Sequence, residues 1–361
     1  MKVSAKILAA AMKHASSIVQ STTVIPILAN ARLTASGGAL EIVTSDTDIE
    51  YIQRIATDDH GELSVAVDAK KLAAIANAVP GDAIITMAVK DDGRLNVSSG
   101  RSRWILPILP ASDFPIMPPI TDGHSLTIDG DALAKLLSRV SWAISNEPTR
   151  HYLNGAYWHS HDGNLCAAAT NGSVACVVGT GIAMPADAPA VIIPTRMTGI
   201  LATIADSHGG EITVTWDDRK LSAVIGDIVL TSKLIDGQFP DYRRIIPETG
   251  VPVSIDPESA LDAIKRIRIT INQTNQARII RGDGVVTLVA RADGGESSED
   301  IAAECSVGDP TGVNIQYLAA ALTSIGGDAV EIHQENPQSP MLIRRVVDDG
   351  SLAVVMPMRI N

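Results

Sequence analysis

One pattern occurs three times along this chain, and a repeat of that length dictates a multi-domain fold more firmly than any single motif does. Val65-Ala66-Val67-Asp68 reads as a strand that runs into an amphipathic helix carrying Leu72, Ile75 and Val79. Gly81 ends that helix and an alternating strand follows. The same grammar returns at Val191-Ile192-Ile193-Pro194 with Met197, Ile200, Leu201 and Ile204. It returns again at Val313-Asn314-Ile315 with Leu318, Leu322 and Ile325. A second strand–helix unit recurs in step. Val3 leads into Leu8 and Met12, Ile128 into Leu133 and Leu137, and Ile255 into Leu261 and Ile264. Both series advance by roughly 120–130 residues, a domain-sized period. The spacing predicts helices over 5–20, 68–79, 129–143, 194–206, 256–270 and 314–324, with Asp129 and Asp256 at N-cap positions. Turn signals stand at Ser36-Gly37-Gly38, Asp91-Asp92-Gly93 and Asp348-Asp349-Gly350. Two proline-rich stretches, Pro107–Pro119 and Pro240–Pro247, fall where the period requires linkers. The expected domains are 1–121, 122–246 and 247–361.

Composition narrows the class. Apolar residues make up 45% of the 361 residues and aromatics only 3%, so the core must be aliphatic. The net charge of −12 excludes a generally basic nucleic-acid binder. Yet the six predicted helices carry more basic than acidic side chains, and their acids gather at helix starts, where the helix dipole favours them. A layer of such helices would present a mildly basic face in an acidic body. For any one helix, an ordinary solvated face explains the charge equally well. Cys166, Cys176 and Cys305 form neither a paired set nor CxxC spacing, which points to a reducing compartment. The apolar run from Ile7 ends at Lys13, too early for a signal-peptide core, and no stretch spans a bilayer, so a cytoplasmic protein without membrane contact is expected.

Enzymatic chemistry finds no constellation. His159-Ser160-His161-Asp162 has a metal-like spacing, but it lies between two strand patterns and precedes Gly163, which reads as a hairpin turn. Gly179-Thr180-Gly181 is too short for a dinucleotide fingerprint, and no Walker A string occurs. No catalytic residue, cofactor or metal is expected. Two alternatives stay open on composition and spacing alone: a hydrolase or metal enzyme built on that His pair, and a scaffold with no nucleic-acid role.

Several separated strings carry a resemblance. They include Ile25-Pro26-Ile27-Leu28-Ala29-Asn30, Thr44-Ser45-Asp46-Thr47-Asp48, Ser99-Gly100-Arg101-Ser102-Arg103 and Leu109-Pro110-Ala111-Ser112-Asp113-Phe114-Pro115. Further along come Tyr152-Leu153-Asn154-Gly155, Ala169-Thr170-Asn171-Gly172, Phe239-Pro240-Asp241-Tyr242-Arg243-Arg244 and Met356-Pro357-Met358-Arg359. In this order, across the whole chain, they resemble the β subunit of bacterial DNA polymerase III, the sliding-clamp family. The resemblance implies an α+β fold of three similar domains, each with two inner helices and an outer antiparallel sheet. Two subunits would close head to tail into a homodimeric ring. Roughly twelve helices about 10 Å apart enclose a circle roughly 38 Å across, about 28 Å of it free after helix radii are subtracted. Duplex DNA would then be held by topology, without sequence preference, as befits a processivity factor in DNA replication.

The resemblance also assigns surfaces. A partner-peptide cleft would comprise Leu153, Thr170, Gly172, Val174, Ala175, Pro240, Arg244, Ile245, Asn314, Tyr317, Val354, Met356, Pro357 and Met358. It would take short segments of the polymerase III alpha subunit, the clamp loader and other polymerase and repair proteins. Ser173-Val174-Ala175 stands where the family commonly has His-Arg-Leu, which removes a basic contact and apolar volume. The ring joint would pair Arg101, Arg103, Trp104 and Leu106 with Thr270, Ile271, Glu296, Glu299 and Asp300. The DNA-facing set would be Lys6, Lys13, Lys71, Lys135, Arg139, Arg150, Tyr152, Arg196, Lys265 and Arg266. Thr22 stands near a loop position where the family often has arginine.

Overall fold

The computed structural model describes residues 1–20, 22–247, 250–270, 275–292, 295–347 and 350–359. The first third of the chain runs β1 (Lys2–Ser4), α1 (Ala5–Ile18), β2 (Asn30–Ser36), β3 (Ala39–Ser45), β4 (Ile49–Ala56), β5 (Leu63–Asp68), α2 (Ala69–Ala78), β6 (Ile84–Val89), β7 (Arg94–Ser99) and β8 (Ser102–Leu109). The second third runs β9 (His124–Asp129), α3 (Gly130–Ser141), β10 (Gly155–His161), β11 (Asn164–Thr170), β12 (Val174–Ala183), β13 (Val191–Pro194), α4 (Thr195–His208), β14 (Glu211–Trp216), β15 (Lys220–Ile225) and β16 (Ile228–Lys233). The last third runs β17 (Val251–Ile255), α5 (Pro257–Ile267), β18 (Gln276–Arg281), β19 (Val285–Ala292), β20 (Gly295–Glu304), β21 (Gly308–Asn314), α6 (Ile315–Ile325), β22 (Val330–Gln334), β23 (Met341–Arg345) and β24 (Leu352–Val355). Each third is therefore strand, helix, four strands, helix, three strands.

Local chemistry explains the elements. In α1, Leu8, Ala11, Met12 and Ala15 form one buried stripe, while Lys6 and Lys13 stay exposed. Asp68 caps α2 by accepting from Lys71 N at 2.8 Å. Asp256 caps α5 through Glu258 N and Ser259 N, and Asn314 caps α6 through Gln316 N and Tyr317 N. The predicted helix over 256–270 is shorter in the structure: α5 ends at Ile267 and Arg268–Thr270 form a turn. The His159–Asp162 string forms the end of β10 and a two-residue hairpin turn, with Asp162 and Gly163 at φ 50° and 78°, a left-handed pair suited to such hairpins. The turns at Gly37-Gly38 and Asp91–Gly93 join β2 to β3 and β6 to β7; Asp348 and Asp349 lie outside the described residues. Cys166 and Cys176 are core residues.

The strands form two twelve-stranded sheets, β1-β6-β7-β8-β5-β2-β3-β4-β16-β15-β14-β9 and β13-β10-β11-β12-β24-β23-β22-β17-β20-β19-β18-β21. These sheets belong to two compact units, Met1–Asp131 with Thr203–Leu234 and Ala132–Ala202 with Ile235–Asn361. The internal pairings repeat as the elements do. The first strand of each third pairs with the strand after its second helix (β1·β6, β9·β14, β17·β22), always antiparallel.

In the first unit, β4 of the first third and β16 of the second pair directly, Ile49–Gln53 against Ile228–Ser232. Beside them the linker is pinned at two points. Buried Glu50 accepts from Met117 N at 2.8 Å, and Lys220 Nζ donates to Pro118 O at 2.6 Å. Burial raises the pKa of Glu50 above the ordinary carboxylate value, partly opposed by the Met117 N–H and by Arg32. With a raised folded-state pKa, this group contributes most below the ordinary value, and its contribution falls as pH rises through the folded pKa. Glu50→Ala, which leaves Met117 N–H unpaired, should cost about 1–3 kcal/mol in urea unfolding. Glu50→Gln should gain stability relative to the parent as pH rises from acid to neutral; a Gln-minus-Glu difference independent of pH would contradict this.

Candidate functional site

In the second unit, β12 and β24 pair antiparallel, Val174 with Val355 and Ala175 with Val354. The chain continues past β24 tied to the loops around it: Met356 N donates to Ser173 O and Met358 N to Gly312 O, both at 2.9 Å. The loop before β12 is held by its own side chains. Thr170 Oγ1 donates to Val174 O at 2.6 Å and accepts from Gly172 N at 3.1 Å. Asn171 Oδ1 accepts from Ser173 N and Val174 N, while Asn171 Nδ2 donates to the Tyr317 hydroxyl at 3.3 Å, which fastens the loop to α6.

Beneath these loops lies an apolar cluster. Ala175, Val354 and Leu342 are buried together, with Ile246 packed against them. Ile246 also packs on the cluster that holds Leu153, Phe239 and Tyr242. Of the other residues expected in the cleft, Met356 at 37%, Ile245 at 39%, Pro240 and Arg244 are exposed, and Asn314, Tyr317, Pro357 and Met358 are half-buried. The tail is a buried last strand at Val354–Val355 and comes to the surface at Met356. Ile246 and Leu342 are contributors that the sequence reading missed. The uninterrupted apolar triplet Met341-Leu342-Ile343, buried on both faces, was the signal for the second.

The residues expected to face DNA divide. Lys6, Lys13, Lys71, Lys135, Lys265 and Arg266 are exposed on helices, and Arg196 is half-buried at the start of α4. Arg139 does something else: Nε donates to Ser324 O at 2.6 Å and Nη2 to Ile325 O at 3.5 Å. A guanidinium is drawn to the unpaired carbonyls at a helix C-terminus, so Arg139 ties α3 to the end of α6. Arg150 and Tyr152 sit on the short helical turn Pro148–Leu153, not on a helix face. Arg150 lies against Gly172, where a Cβ would stand 2.8 Å from Nη1 and where φ is 92°. Tyr152 packs on the Leu153 cluster. Thr22 precedes Val24, which is 98% exposed.

Of the residues expected at a ring joint, Arg103, Trp104 and Leu106 lie on β8 and Glu296, Glu299 and Asp300 on β20, two strands with open edges. Ser102–Leu106 of β8 pair only with β7, and Gly295–Ala302 of β20 only with β19, among the described residues. Arg101 and Arg103 are exposed, Trp104 is half-buried and Leu106 is buried. On β20, Glu296 pairs with Arg291, Glu299 accepts from Arg266 Nη2 at 2.8 Å, and Asp300 accepts from Thr287 Oγ1 at 2.6 Å. Thr270 is half-buried and hydrogen-bonds Ser297; Ile271 lies outside the described residues. Among the described residues no group of three His, Cys, Asp or Glu side chains is placed to hold a metal ion, and no helix is long and apolar enough to cross a membrane.

Three like α+β repeats joined by shared sheets, with open edges on β8 and β20 among the described residues, are the architecture of DNA clamps. Three domain descriptions match in chain order: DNA polymerase III beta subunit N-terminal domain over 1–118, central domain over 127–241 and C-terminal domain over 243–359. The beta sliding clamp of Caulobacter vibrioides is 32% identical over 97% of both chains, and that of Pseudomonas aeruginosa is 30% identical over 95% of both. A crystal structure of the Pseudomonas aeruginosa clamp superposes with a TM-score of 0.92 at 29% identity, covering 100% of this chain and 99% of that one. The Bartonella birtlesii clamp bound to griselimycin gives 0.94 at 27% identity, with the same coverage. The chain belongs to the DNA polymerase III beta subunit family, the bacterial sliding clamps, whose members are not enzymes.

Arg139→Met should lower the stability of the second unit by about 1.5–3 kcal/mol, the worth of its charged hydrogen bond to Ser324 O; Ile325 O keeps Arg345 Nε at 2.8 Å. Lys135→Met, on the exposed face of the same helix, should stay within about 0.5 kcal/mol. Urea denaturation of both variants checks this, and equal effects would return Arg139 to the exposed set.

Proposed function

We propose that this chain is a replicative processivity clamp that closes with a second copy around duplex DNA. The observation that carries the reading is an unfinished series. The third of the four strands after the first helix pairs with the last strand of the following third, as β4·β16 and then β12·β24. Continuing the series asks β20 to pair with β8 of another copy, and a second such joint closes the ring. The charges suit this: Glu296, Glu299 and Asp300 on one edge, Arg101 and Arg103 on the other. Trp104 and Leu106 face the apolar centre of the joint, with Thr270 and Ile271 opposite.

On this reading the domains divide at 1–121, 122–246 and 247–361. Exposed Lys6, Lys13, Lys71, Lys135, Lys265 and Arg266 supply weak contacts to phosphates, which favour sliding over fixed binding. The groove at Ala175, Val354 and Met356 takes short apolar peptides from the polymerase III alpha subunit, the clamp loader and repair proteins, and methionines on its rim let it adapt to several. Griselimycin, bound in the Bartonella clamp, should bind here too. The setting is the bacterial cytoplasm, where these partners work.

Loaded onto nicked circular DNA, the protein should be retained and should run off when the circle is linearised; equal retention on both forms would mean surface binding and sink the clamp reading. Trp104→Ala should weaken self-association by about 30-fold or more, the loss typical of an interface anchor. Analytical ultracentrifugation across a dilution series reads this directly, and an unchanged dissociation constant would move the joint elsewhere.

A further inference from the structure

The Gly237–Arg244 segment lines a groove of about 760 Å³. Its floor is the outward face of β10, Tyr157, His159 and His161, at every second residue. The floor is rigid. Tyr157 is sandwiched between Phe239 and His159, with ring centroids 4.6 and 4.7 Å apart and nearly parallel planes. His159 Nε2 is hydrogen-bonded to the Tyr242 hydroxyl at 2.9 Å, and burial lowers its pKa to about 4, so the ring stays neutral at physiological pH. Ala188 and Ala190 form the far wall.

The near wall is charged. Arg243 and Arg244 share one carboxylate, Asp241, at 2.8 and 3.6 Å, and both side chains are largely exposed. One carboxylate cannot neutralise two guanidinium groups. Among its lining residues the two guanidinium groups exceed the one carboxylate by one positive charge, on a chain whose net charge is −12, and the Asp162 carboxylate stands 3.7 Å from His161 at the edge of the floor. Pro240 and Arg244 line this groove as well as the rim of the cleft, so the two surfaces are continuous.

We propose that this groove receives the acidic flank of a partner peptide whose apolar anchors occupy the cleft. The inference rests on the cleft reading above and extends it: the partner's footprint is longer than the cleft, and its charge adds selectivity. A peptide fits better than single-stranded nucleic acid. Both faces of Tyr157 are already covered, which leaves no open platform there for a base, and one net positive charge is little for a phosphate chain. An extended segment can lie along a strand face and place carboxylates against two arginines.

The test uses the full-length protein and fluorescence anisotropy. The probes are an uncharged peptide with Leu and Phe anchors, and the same peptide extended by three glutamates at one end or the other. One extension should tighten binding about fivefold to tenfold at low salt and lose that gain as salt rises. Arg243→Glu, and separately Ala190→Trp to fill the groove, should abolish the gain while the uncharged peptide binds within twofold of the parent. No gain at either end, or a gain that survives both variants, overturns the proposal and leaves the cleft intact. Failure of the uncharged peptide to bind folded protein overturns the cleft reading itself. An oligothymidylate that displaces the extended peptide from the parent but not from the two variants would make the groove a nucleic-acid site and likewise overturn the proposal.

Discussion

Antiparallel backbone pairing across domain boundaries is the interaction on which the rest of this structure depends. β4 with β16 and β12 with β24 join one third of the chain to the next through main-chain N–H and C=O groups. Such a ladder asks little of side chains beyond the alternation that fits a pleated surface. The three thirds have diverged in sequence, yet their joints keep one geometry. The same independence leaves the edges of β8 and β20 able to meet in a second copy. Unpaired edges of that kind are ordinarily a liability, and here they carry oppositely charged side chains that restrict what they can pair with.

The repeat and the six helices were legible because both rest on periodicity. The stripe Leu8, Met12 and Ala15 and the cap Asp256 are local signals, and local signals survive in one dimension. Arg139 and Arg150 were not legible in the same way. Each looks like any basic residue near a helix or turn. What decides their roles is a partner far along the chain or across a loop: the carbonyls of Ser324 and Ile325 for one, the bare backbone of Gly172 for the other. A cation on a helix is a candidate for phosphate only if no helix terminus competes for it. The family resemblance supplied most of the cleft positions, because that surface is a property of separated strings that composition and spacing cannot bring together.

The two intrachain joints share a frame and differ in how each holds its linker. Phe114 packs on Val43 and Ile52, which are paired across β3 and β4; Phe239 packs on Ala168 and Val177, paired in the same way across β11 and β12. Glu50 and Ala175 also correspond, each opposite the last residue of the preceding strand, Ser45 and Thr170. At the first joint the Glu50 carboxylate reaches out to hold Met117 N, and Lys220 holds Pro118 O, so the linker after Phe114 is drawn down onto the sheet. At the second joint a methyl group stands where that carboxylate would be. The linker after Phe239 is held differently, by the Tyr242 hydroxyl on His159 Nε2 at 2.9 Å, and the floor at Ala175 is apolar, with Ile246 against it. The same frame thus holds its linker in two ways: through backbone groups bound by Glu50 and Lys220 at the first joint, and through the Tyr242 side chain on His159 at the second, where Ala175 in place of a carboxylate leaves an apolar surface for Ile246 to cover.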